Sequence, residues 1–402
     1  MKNVLRMLVA AGTAGGALIP GVAARHARAD RVALVAQAQP QQALRTEPDI
    51  GRPLAWLIAA QNDNGGWGDG AKTAPDVATT AISGIALIRM GHSWNAGQYK
   101  ATTRKAVEYV VAAVDRTPRE EIDINPAGTL PQRKLGRHID TFLGAQFLGE
   151  VLPTVPGGKD HDRVKNALDL CIEKIYMAQR NDGSYAADGW APVLSSAFAN
   201  NGLYAARSAG ERVRAEVLAK GDKYMLNNYD DKSKQFKTAD SAGVGLYTVA
   251  GTAQSAARTG QMDGAAGKAA MERLHDANFL RGFGTYGGEE HVSFMMTSEA
   301  LAQIGGKEWA DWSKAIRIRL ANIQRQDGTW RGDHCITSTS FCTAASLVTL
   351  MIQPKGHQQP ARSQVQPQPS QPQPTPAQPA QPAQPAQPQH AQTTPPRPPL
   401  HG

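Results

Sequence analysis

One seven-residue phrase occurs three times in this chain, and its recurrence constrains the fold more than any other feature. The copies are QNDNGGW at residues 61–67, QRNDGSY at 179–185 and QRQDGTW at 324–330. Each copy begins with Gln, has Gly in the fifth position and ends on an aromatic residue. A phrase that recurs in this way predicts a chain built from repeated structural units.

The segments around the three copies are typical of helix pairs. Ala, Leu, Ser and Thr recur at helical spacing, and Gly, Pro and Asn-Asp clusters separate the segments. Six pairs are predicted between residues 50 and 351, with the fourth and sixth second helices at residues 239–260 and 335–351. The first helix of each pair is richer in charge and the second in small and apolar residues. This difference predicts outer helices around inner ones.

Helix pairs of this kind bury their apolar faces by stacking on one another. Six pairs favour closure into a ring, because closure removes two exposed ends. We therefore predict an all-α fold, an α/α toroid with six inner and six outer helices. The phrase falls where the first, third and sixth outer helices end, and Gly65, Gly183 and Gly328 suit a left-handed helix stop there.

Both ends of the chain lack the composition of a folded domain. Residues 1–29 combine basic residues, a short apolar stretch and the sequence Ala27-Arg28-Ala29, which indicates a cleaved signal peptide. Residues 30–44 are assigned as a linker, and residues 354–402, rich in Pro and Gln, as a disordered tail. The toroid domain of residues 45–353 is then exported to the periplasm, the cell envelope or the extracellular space. It has no transmembrane segment after cleavage.

The net charge of +8 comes from the two ends of the chain. The signal peptide carries four basic residues and the tail three, with no acidic residue in either, which leaves +1 for the domain. Nucleic-acid binding needs a concentrated basic surface that neutralises phosphates. The charge of the domain therefore argues against a nucleic-acid partner.

The repeated phrase resembles the QW motif of the prenyltransferase and squalene cyclase repeat superfamily, in which Gln, Gly and Trp are separated by short spacers. The resemblance covers the whole domain and implies a single-barrel, exported member with the same ring of helices. In that superfamily the motif is structural. The resemblance therefore implies stabilising roles for Gln61, Gly65, Trp67, Gln179, Gly183, Tyr185, Gln324, Gly328 and Trp330.

The sequence lacks the motifs of two activities that are related to this superfamily. Squalene-hopene cyclases have two barrels and an Asp-x-Asp-Asp acid motif, whereas this chain has room for one barrel and does not contain that motif. Their cavities are lined with aromatic residues that stabilise carbocations, whereas the predicted inner helices here are rich in small and hydroxyl residues. The Gly-Cys-Gly-Glu-Gln stretch of complement-like thioester domains is also absent from the sequence.

Protein prenyltransferase β subunits of the same superfamily hold zinc with an Asp-x-Cys pair and a His from another inner helix. Asp333 and Cys335 match this pair in kind and in local position, and His334 lies between them. The inner helix that follows in the ring begins without a His, but the preceding one begins with His291. These four residues form a candidate zinc site, and zinc is the one candidate cofactor. Export argues against prenyl transfer itself, which needs a partner subunit and cytosolic prenyl diphosphates.

Acidic residues and histidines also cluster where the inner helices are predicted to begin. This set comprises Asp76, His138, Asp140, Asp240, Glu289, Glu290, His291, Asp333 and His334. The first turn of a helix leaves backbone N–H groups without partners, so acidic residues there act first as caps. Capping accounts for Asp76, Asp240 and Asp333.

Two classes of function remain open. The first is a ligand- or protein-binding or scaffolding module of the cell envelope, whose partner is an envelope protein, a lipid or a glycan. The second is an enzyme that acts in the ring cavity on an isoprenoid, lipid or saccharide, with zinc assistance in the manner of a terpene cyclase or prenyltransferase as one variant. Its candidate general acids or bases are Glu290, Asp333 and Asp140. The small, polar inner helices and the missing catalytic motifs favour the first class.

Overall fold

The structure is a computed structural model that describes residues 45–185, 190–276, 278–279 and 287–354. The predicted signal peptide, the linker and the tail beyond residue 354 lie outside these residues. The described helices are α1 (Gly51–Ala60), α2 (Val77–Arg89), α3 (Lys100–Arg116), α4 (Leu130–Leu135), α5 (Ile139–Val151), α6 (Lys159–Ala178), α7 (Pro192–Ser208), α8 (Ala215–Leu226), α9 (Gly245–Thr259), α10 (Ala265–His275), α11 (Glu289–Ile304), α12 (Gly306–Ile323) and α13 (Thr339–Met351). Strands β1 (Tyr229–Asp230) and β2 (Gln235–Phe236) form a short antiparallel hairpin.

Six helices form a closed inner ring. Helices α2, α5, α7, α9, α11 and α13 contact one another in that order, and α13 returns to contact α2. Helices α1, α3, α6, α8, α10 and α12 pack around them. The first outer helix, α1, packs on the last inner helix, α13, so the outer layer is also held across the closure. The chain is therefore an all-α toroid of six inner and six outer helices, as the sequence predicts.

The two layers differ in burial as the residue pattern predicts. Every residue of α5 is buried except Glu150, because this helix packs on inner neighbours at both sides and on α6 behind. Helix α3 buries only a stripe of residues at helical spacing, from Thr103 to Val114. Each fully buried Val, Leu or Phe side chain contributes roughly 1.5–3 kcal/mol to burial free energy. Because an outer helix such as α3 buries only one stripe and packs on the inner ring, the hydrophobic core lies between the two layers.

The three copies of the phrase form the same hydrogen-bonded turn. In each copy the side-chain amide of the Gln donates to a backbone carbonyl at or just before the outer helix of the neighbouring repeat. The acceptors are the carbonyl oxygens of Thr102, Val217 and Asp49, at 3.0, 2.8 and 2.7 Å. The third of these bonds joins the last repeat to the first, because Asp49 precedes α1.

The aromatic residue at the end of the phrase connects an outer helix to its inner partner. The indole Nε1 of Trp330 donates to the carbonyl oxygen of Leu320 at 2.9 Å, and its backbone N–H donates to the Thr343 hydroxyl at 3.1 Å. Trp67 repeats this pattern with Leu57 and Thr80. Both indoles are fully buried. Each therefore packs in the corner between the end of one helix and the start of the next.

The glycines of the phrase have positive φ, as predicted, but they do not end the helices. Helices α1, α6 and α12 end one residue before the Gln and five residues before the glycine. Gly65 and Gly183 both have a φ of +91°. A Cβ at either position would collide with a backbone carbonyl, that of Lys105 or Lys220. These two positions require glycine for both reasons.

Two inner helices begin later than the sequence predicts. Helix α9 begins at Gly245 because Ala242 and Gly243, with φ of +52° and +80°, break the helical path before it. Helix α13 begins at Thr339, where the hydroxyl of Ser338 caps it by accepting from the Phe341 N–H at 3.1 Å. Residues 239–244 and 335–338, which the sequence predicts to be helical, therefore lie outside α9 and α13.

The later starts also correct two of the predicted caps. Asp76 caps α2 as predicted, since its carboxylate accepts from the Thr79 N–H at 2.7 Å. Asp240 lies in a 3-10 turn, Ala239–Ser241, and accepts from the Tyr224 hydroxyl at 3.0 Å. Asp333 is an exposed residue of the loop before α13. Capping therefore does not explain Asp240 or Asp333.

Candidate functional site

A cavity of about 670 Å³ lies at the C-terminal ends of the inner helices. All six inner helices contribute to its wall, so it lies on the axis of the ring. Its principal lining residues are Arg89, Gln146, Glu150, Asn201, Tyr204, Arg207, Arg258, Glu299, Gln303 and Met351. Small-molecule sites in proteins commonly have volumes of about 300–1,000 Å³. The cavity has the size of such a site, but its wall is mostly polar.

One side of the cavity is an ion-pair network centred on Arg89. Its guanidinium donates to Glu150 at 2.7 and 3.1 Å and to Glu299 at 3.0 Å. These two carboxylates raise the pKa of Arg89 against the opposing effect of burial. The other oxygen of Glu299 accepts from the side-chain amides of Asn201 and Gln254 at 3.3 and 3.0 Å. Both oxygens of Glu299 are thus occupied by donors from α2, α7 and α9.

The opposite side of the cavity carries two arginines beside one tyrosine ring. The guanidinium carbons of Arg258 and Arg207 lie 4.4 and 4.5 Å from the centroid of the Tyr204 ring. The Tyr204 hydroxyl donates to Asp222 at 2.5 Å. Arg258 also donates to the Asn201 side-chain oxygen at 2.6 Å. Within the described part of the chain, neither arginine forms a salt bridge with a carboxylate.

Three buried polar atoms of the cavity wall have no hydrogen-bond partner among the described residues. They are Gln146 Oε1, Gln303 Oε1 and Arg258 Nη1. The amide nitrogen of Gln146 donates to Glu150 at 3.0 Å, which identifies its oxygen as the unpartnered atom. Most buried polar atoms in proteins are hydrogen-bonded, so three exceptions at one cavity need an explanation. Two are acceptors and one is a donor.

The sequence prediction missed this cavity and assigned candidate sites to the opposite end of the ring. The sequence does contain a pattern that indicates this cavity. Helices α5, α7, α9 and α11 are made of small and apolar residues, yet each has Gln, Asn, Glu or Arg in its second half. A polar side chain in a helix that is buried all round faces either a partner or a cavity.

A larger pocket, of about 920 Å³, lies outside the ring between the hairpin, α9 and α10. Its charged residues include Lys234, which pairs with Asp231 at 2.6 Å, and Arg273, whose guanidinium lies over the Phe279 ring. Among the described residues, no lining residue of this pocket has a buried polar atom without a partner. The smaller central cavity is therefore the stronger candidate for a ligand site.

At the N-terminal end of the ring, Asp76 and Asp140 lie buried next to each other. Asp140 belongs to α5 but accepts from the Ala78 N–H of α2 at 2.8 Å. Burial raises the pKa of Asp76 to about 7. Burial, together with the nearby Asp76 carboxylate, raises the pKa of Asp140 to about 8. Asp140, one of the predicted acid or base candidates, thus serves the start of a neighbouring helix.

Two further candidates of α11 lie buried against other helices. Glu290 pairs with Arg319 of the outer helix α12 at 3.3 Å. The His291 ring nitrogen Nδ1 lies 2.8 Å from the Ser346 hydroxyl of α13. Burial lowers the pKa of His291 to about 4, which favours the neutral ring. Both side chains therefore join α11 to its neighbours.

Three ligand types converge on the loop before α13. One ligand atom from each of Glu289, His334 and Cys335 lies within 4.8 Å of the other two, and the group includes neither His291 nor Asp333. Glu289 is buried, and its Oε2 atom has no hydrogen-bond partner among the described residues. Burial and the charge of Glu289 raise the pKa of the Cys335 thiol. The structure thus brings together two of the four residues predicted to bind zinc, and adds Glu289.

The backbone at this group is constrained. Cys335 has a φ of +55°, an uncommon value for a residue with a Cβ. Gly287 forms a parallel bridge with His334, and a Cβ at Gly287 would collide with Glu289 and His334. The loop and the start of α11 are therefore in close backbone contact, which holds the three side chains near one another.

Comparisons with known proteins assign no family. No family model matches the chain, and no curated protein matches it. Among solved structures, the chain is similar to a variant of the type II terpene cyclase MstE from Scytonema in complex with its substrate, geranylgeranyl dihydroxybenzoate. The identity is 15% and the TM-score 0.46, over 75% of this chain and 95% of that chain. At this level of similarity the comparison carries no argument about activity, and the class of α/α toroid rests on the helix contacts described above.

None of the described helices combines the length and the apolar composition that a bilayer crossing requires.

Proposed function

We propose that this protein is a binding module whose ring cavity takes a small polar ligand. The observation that carries the proposal is the group of three unpartnered polar atoms, Gln146 Oε1, Gln303 Oε1 and Arg258 Nη1, on the wall of one cavity. A buried polar group without a partner costs roughly 1–3 kcal/mol. A polar ligand that supplies one donor to each glutamine and one acceptor to Arg258 removes this cost.

The same wall argues against an isoprenoid or another hydrocarbon ligand. A hydrocarbon chain in this cavity would desolvate Arg89, Arg258, Glu150 and Glu299 and would return no hydrogen bond. Tyr204 is the one aromatic residue of the wall among the described residues, and two arginines already lie against its ring. Of the ligand classes that the sequence leaves open, a saccharide or another small polar molecule fits best.

Binding is favoured over catalysis by the state of the two cavity carboxylates. Glu150 accepts three hydrogen bonds, from Arg89 and Gln146, and Glu299 accepts three from Arg89, Asn201 and Gln254. A general acid or base needs an oxygen that is available to the substrate. The oxygens of these two carboxylates are occupied by hydrogen bonds between helices of the ring.

The test is a ligand screen on the full mature chain by thermal shift and calorimetry, with neutral sugars, sugar acids, amino acids and isoprenoid alcohols. We expect polar compounds to raise Tm, because a ligand that binds only the folded state stabilises it. The double variant Gln146→Leu/Gln303→Leu should lose this effect, and Gln98→Leu, an exposed loop residue, should keep it. Binding of the isoprenoid alcohols alone, or polar binding that the double variant retains, would refute the proposal.

We also propose export of this module to the cell envelope, where an envelope protein or a glycan is the partner class. Support comes from residues 1–29 and from the Pro- and Gln-rich composition of residues 354–402. Membership of the prenyltransferase and squalene cyclase repeat superfamily is part of the same proposal and is supported by the three copies of the phrase. Cell fractionation, with N-terminal sequencing of the mature protein, tests the export.

A second candidate function is zinc binding by Glu289, His334 and Cys335. The observation that favours it is the buried Glu289 oxygen without a partner beside an imidazole and a thiol. Zinc prefers these three ligand types at roughly 2.0–2.3 Å and leaves a fourth position open at reactive sites. The group therefore fits a zinc ion that keeps one position for water or a ligand.

Metal content of the purified full chain tests this second function. We expect near-stoichiometric zinc in the wild type and its loss in Cys335→Ser, while Cys342→Ser, a buried cysteine of α13, should retain it. Cobalt substitution adds a readout, since a thiolate ligand gives a charge-transfer band in the near ultraviolet. Equal metal content in all three proteins would show that the group does not hold zinc.

A further inference from the structure

The arginines of the central cavity differ in their partners, and this difference bears on the chemistry of the ligand. Arg89 is paired with two carboxylates at 2.7–3.1 Å. Arg258 has one hydrogen bond, to a neutral amide oxygen, and its Nη1 atom has no partner among the described residues. Burial lowers the pKa of Arg258 against the opposing charges of Glu299 and Asp222, whereas the carboxylates of Glu150 and Glu299 raise the pKa of Arg89. The positive charge of Arg258 therefore has no salt-bridge partner among the described residues.

The surroundings of Arg258 increase this imbalance. Arg207 lies on the same Tyr204 ring and also lacks a carboxylate partner in the described part of the chain. Asp222 is the nearby acid: one of its oxygens accepts from the Tyr204 hydroxyl, and the other has no hydrogen-bond partner among the described residues. One buried carboxylate, which forms a salt bridge with neither arginine, thus lies near two positive charges, and an anionic ligand would balance the second charge.

The side of the cavity that contains Gln146 and Gln303 requires hydrogen-bond donors from the ligand. Gln146 Oε1 and Gln303 Oε1 are acceptors, so a ligand must present O–H or N–H donors to them. The carboxylates of that side are already paired with Arg89. The complementary molecule thus has an anionic group at one end and donors at the other.

We infer that the ligand of this cavity is a small hydroxylated anion, whose charged oxygen binds Arg258 and whose hydroxyl groups donate to Gln146 and Gln303. The inference rests on the proposed function and narrows its ligand class. The volume of about 670 Å³ accommodates a single sugar unit. A carboxylate and a phosphate both supply the anionic oxygen, and the choice between them is made by experiment.

Three probes that share one hexose frame separate these chemistries: glucose, glucuronate and glucose 6-phosphate. Calorimetry with the full mature chain should give tighter binding of an anionic probe than of glucose by roughly tenfold to a hundredfold, the range for hydrogen bonds to charged groups. Whichever of glucuronate and glucose 6-phosphate binds more tightly shows whether the natural ligand carries a carboxylate or a phosphate. The methyl ester of glucuronate should bind like glucose, and this arm needs no protein variant.

The variant arm compares two arginines whose guanidinium carbons both lie 4.4 Å from the centroid of a tyrosine ring. Arg258→Gln should lower the affinity for the anionic probe to that for glucose, whereas Arg258→Lys should keep part of the preference. Arg214 lies 4.4 Å from the Tyr176 ring at the outer surface, so Arg214→Gln is the matched control and should bind like the wild type. Circular dichroism and Tm of each variant establish that the ring is folded.

The outcomes separate this inference from the proposed function. Equal affinities for glucose and both anions, unchanged by Arg258→Gln, would overturn the inference and leave the proposal of a polar ligand intact. Absence of binding by the three probes, with binding of other neutral polar compounds in the screen, would overturn the inference in the same way. If no polar compound of the screen binds, both fail.

Discussion

The two ends of the inner ring carry opposite charges at their helix termini, and at one of them three polar atoms without partners line a single cavity. The starts of the inner helices carry acids, such as Asp76, Asp140 and Glu290. The last turns of α2, α7 and α9 carry Arg89, Arg207 and Arg258. Both distributions follow the helix macrodipole, which favours anions at N-termini and cations at C-termini. Charge alone therefore does not mark either end as a site.

The ends differ in how far the protein uses these groups itself. Asp76 and Asp140 accept from backbone N–H groups at the start of α2, and Glu290 pairs with Arg319. At the other end the cavity has three arginines and two carboxylates, both carboxylates pair with Arg89, and three polar atoms of the wall are unpartnered. Unpartnered atoms also occur at the N-terminal end, on Asp140, Glu289 and Ser340, so the cavity end is set apart because three such atoms line one cavity.

The largest expected effect would come from breaking the corner at the N-terminal end of the ring. Trp330→Ala removes a fully buried indole and its hydrogen bond to Leu320, and should lower the free energy of unfolding by about 3–5 kcal/mol. Urea denaturation measures this change. Trp190→Ala is the control, since that indole is 41% exposed, and it should cost less than about 1 kcal/mol. Similar losses in the two variants would contradict the structural role of the corner.

A smaller loss is expected from breaking the ion pairs of the cavity end. Arg89→Met leaves Glu150 and Glu299 without their cation and should cost roughly 2–3 kcal/mol, less than a fully buried pair because the arginine side chain is 21% exposed. A double-mutant cycle with Glu299→Gln should give a coupling energy of about 1 kcal/mol or more. Arg214→Met, at an exposed pair with Glu173, should stay within about 0.5 kcal/mol. Additive losses at Arg89 and Glu299 would show that the network contributes no coupling.

A pH dependence of the free energy of unfolding sharpens the comparison of the two ends. Asp76 and Asp140 have pKa values of about 7 and 8 in the folded chain, above the unfolded value of about 3.9. Between these limits the folded protein holds more protons, so the free energy of unfolding falls as pH rises, by at most about 1.4 kcal/mol per pH unit for each carboxyl. His291 acts in the opposite direction below about pH 6.5, because its pKa is lowered to about 4.

Replacement of Asp140 by Asn isolates the contribution of the carboxyl pair. The slope of unfolding free energy against pH between about 5 and 8 should be shallower in Asp140→Asn than in the wild type. Asp333→Asn changes an exposed carboxylate and should leave the slope unchanged. Thermal or urea unfolding over this pH range measures all three proteins. Identical slopes in wild type and Asp140→Asn would show that the buried pair does not control the dependence.

Much of the fold was predictable because its information is local. The corner turns depend on a glycine with positive φ and on a short hydrogen-bonded segment, and both are written in seven consecutive residues. The difference between outer and inner helices also shows in each segment alone. The later start of α13 shows the limit of such prediction, since Asp333 and Ser338 are both favoured N-cap residues, and the observed cap is Ser338.

The candidate sites were less predictable because they join residues that are remote in sequence. The predicted zinc group contained Asp333 and His291, but the loop turns Asp333 to the surface and packs His291 against Ser346. Glu289 takes part instead, through the contact of Gly287 with His334. No spacing rule connects these positions.

By itself the sequence determined an all-α chain of helix pairs, because periodicity, turn residues and burial of apolar faces act within each repeat. Only the tertiary structure decided which polar side chains meet inside the ring. Arg89 and Glu299 are separated by 210 positions and contact each other because the packing of six helices sets their rotation and height. The unpartnered atoms of Gln146, Gln303 and Arg258 are a property of that packing. Hydrogen bonding depends on ångström-scale distances, and the residue pattern of a single helix does not contain them.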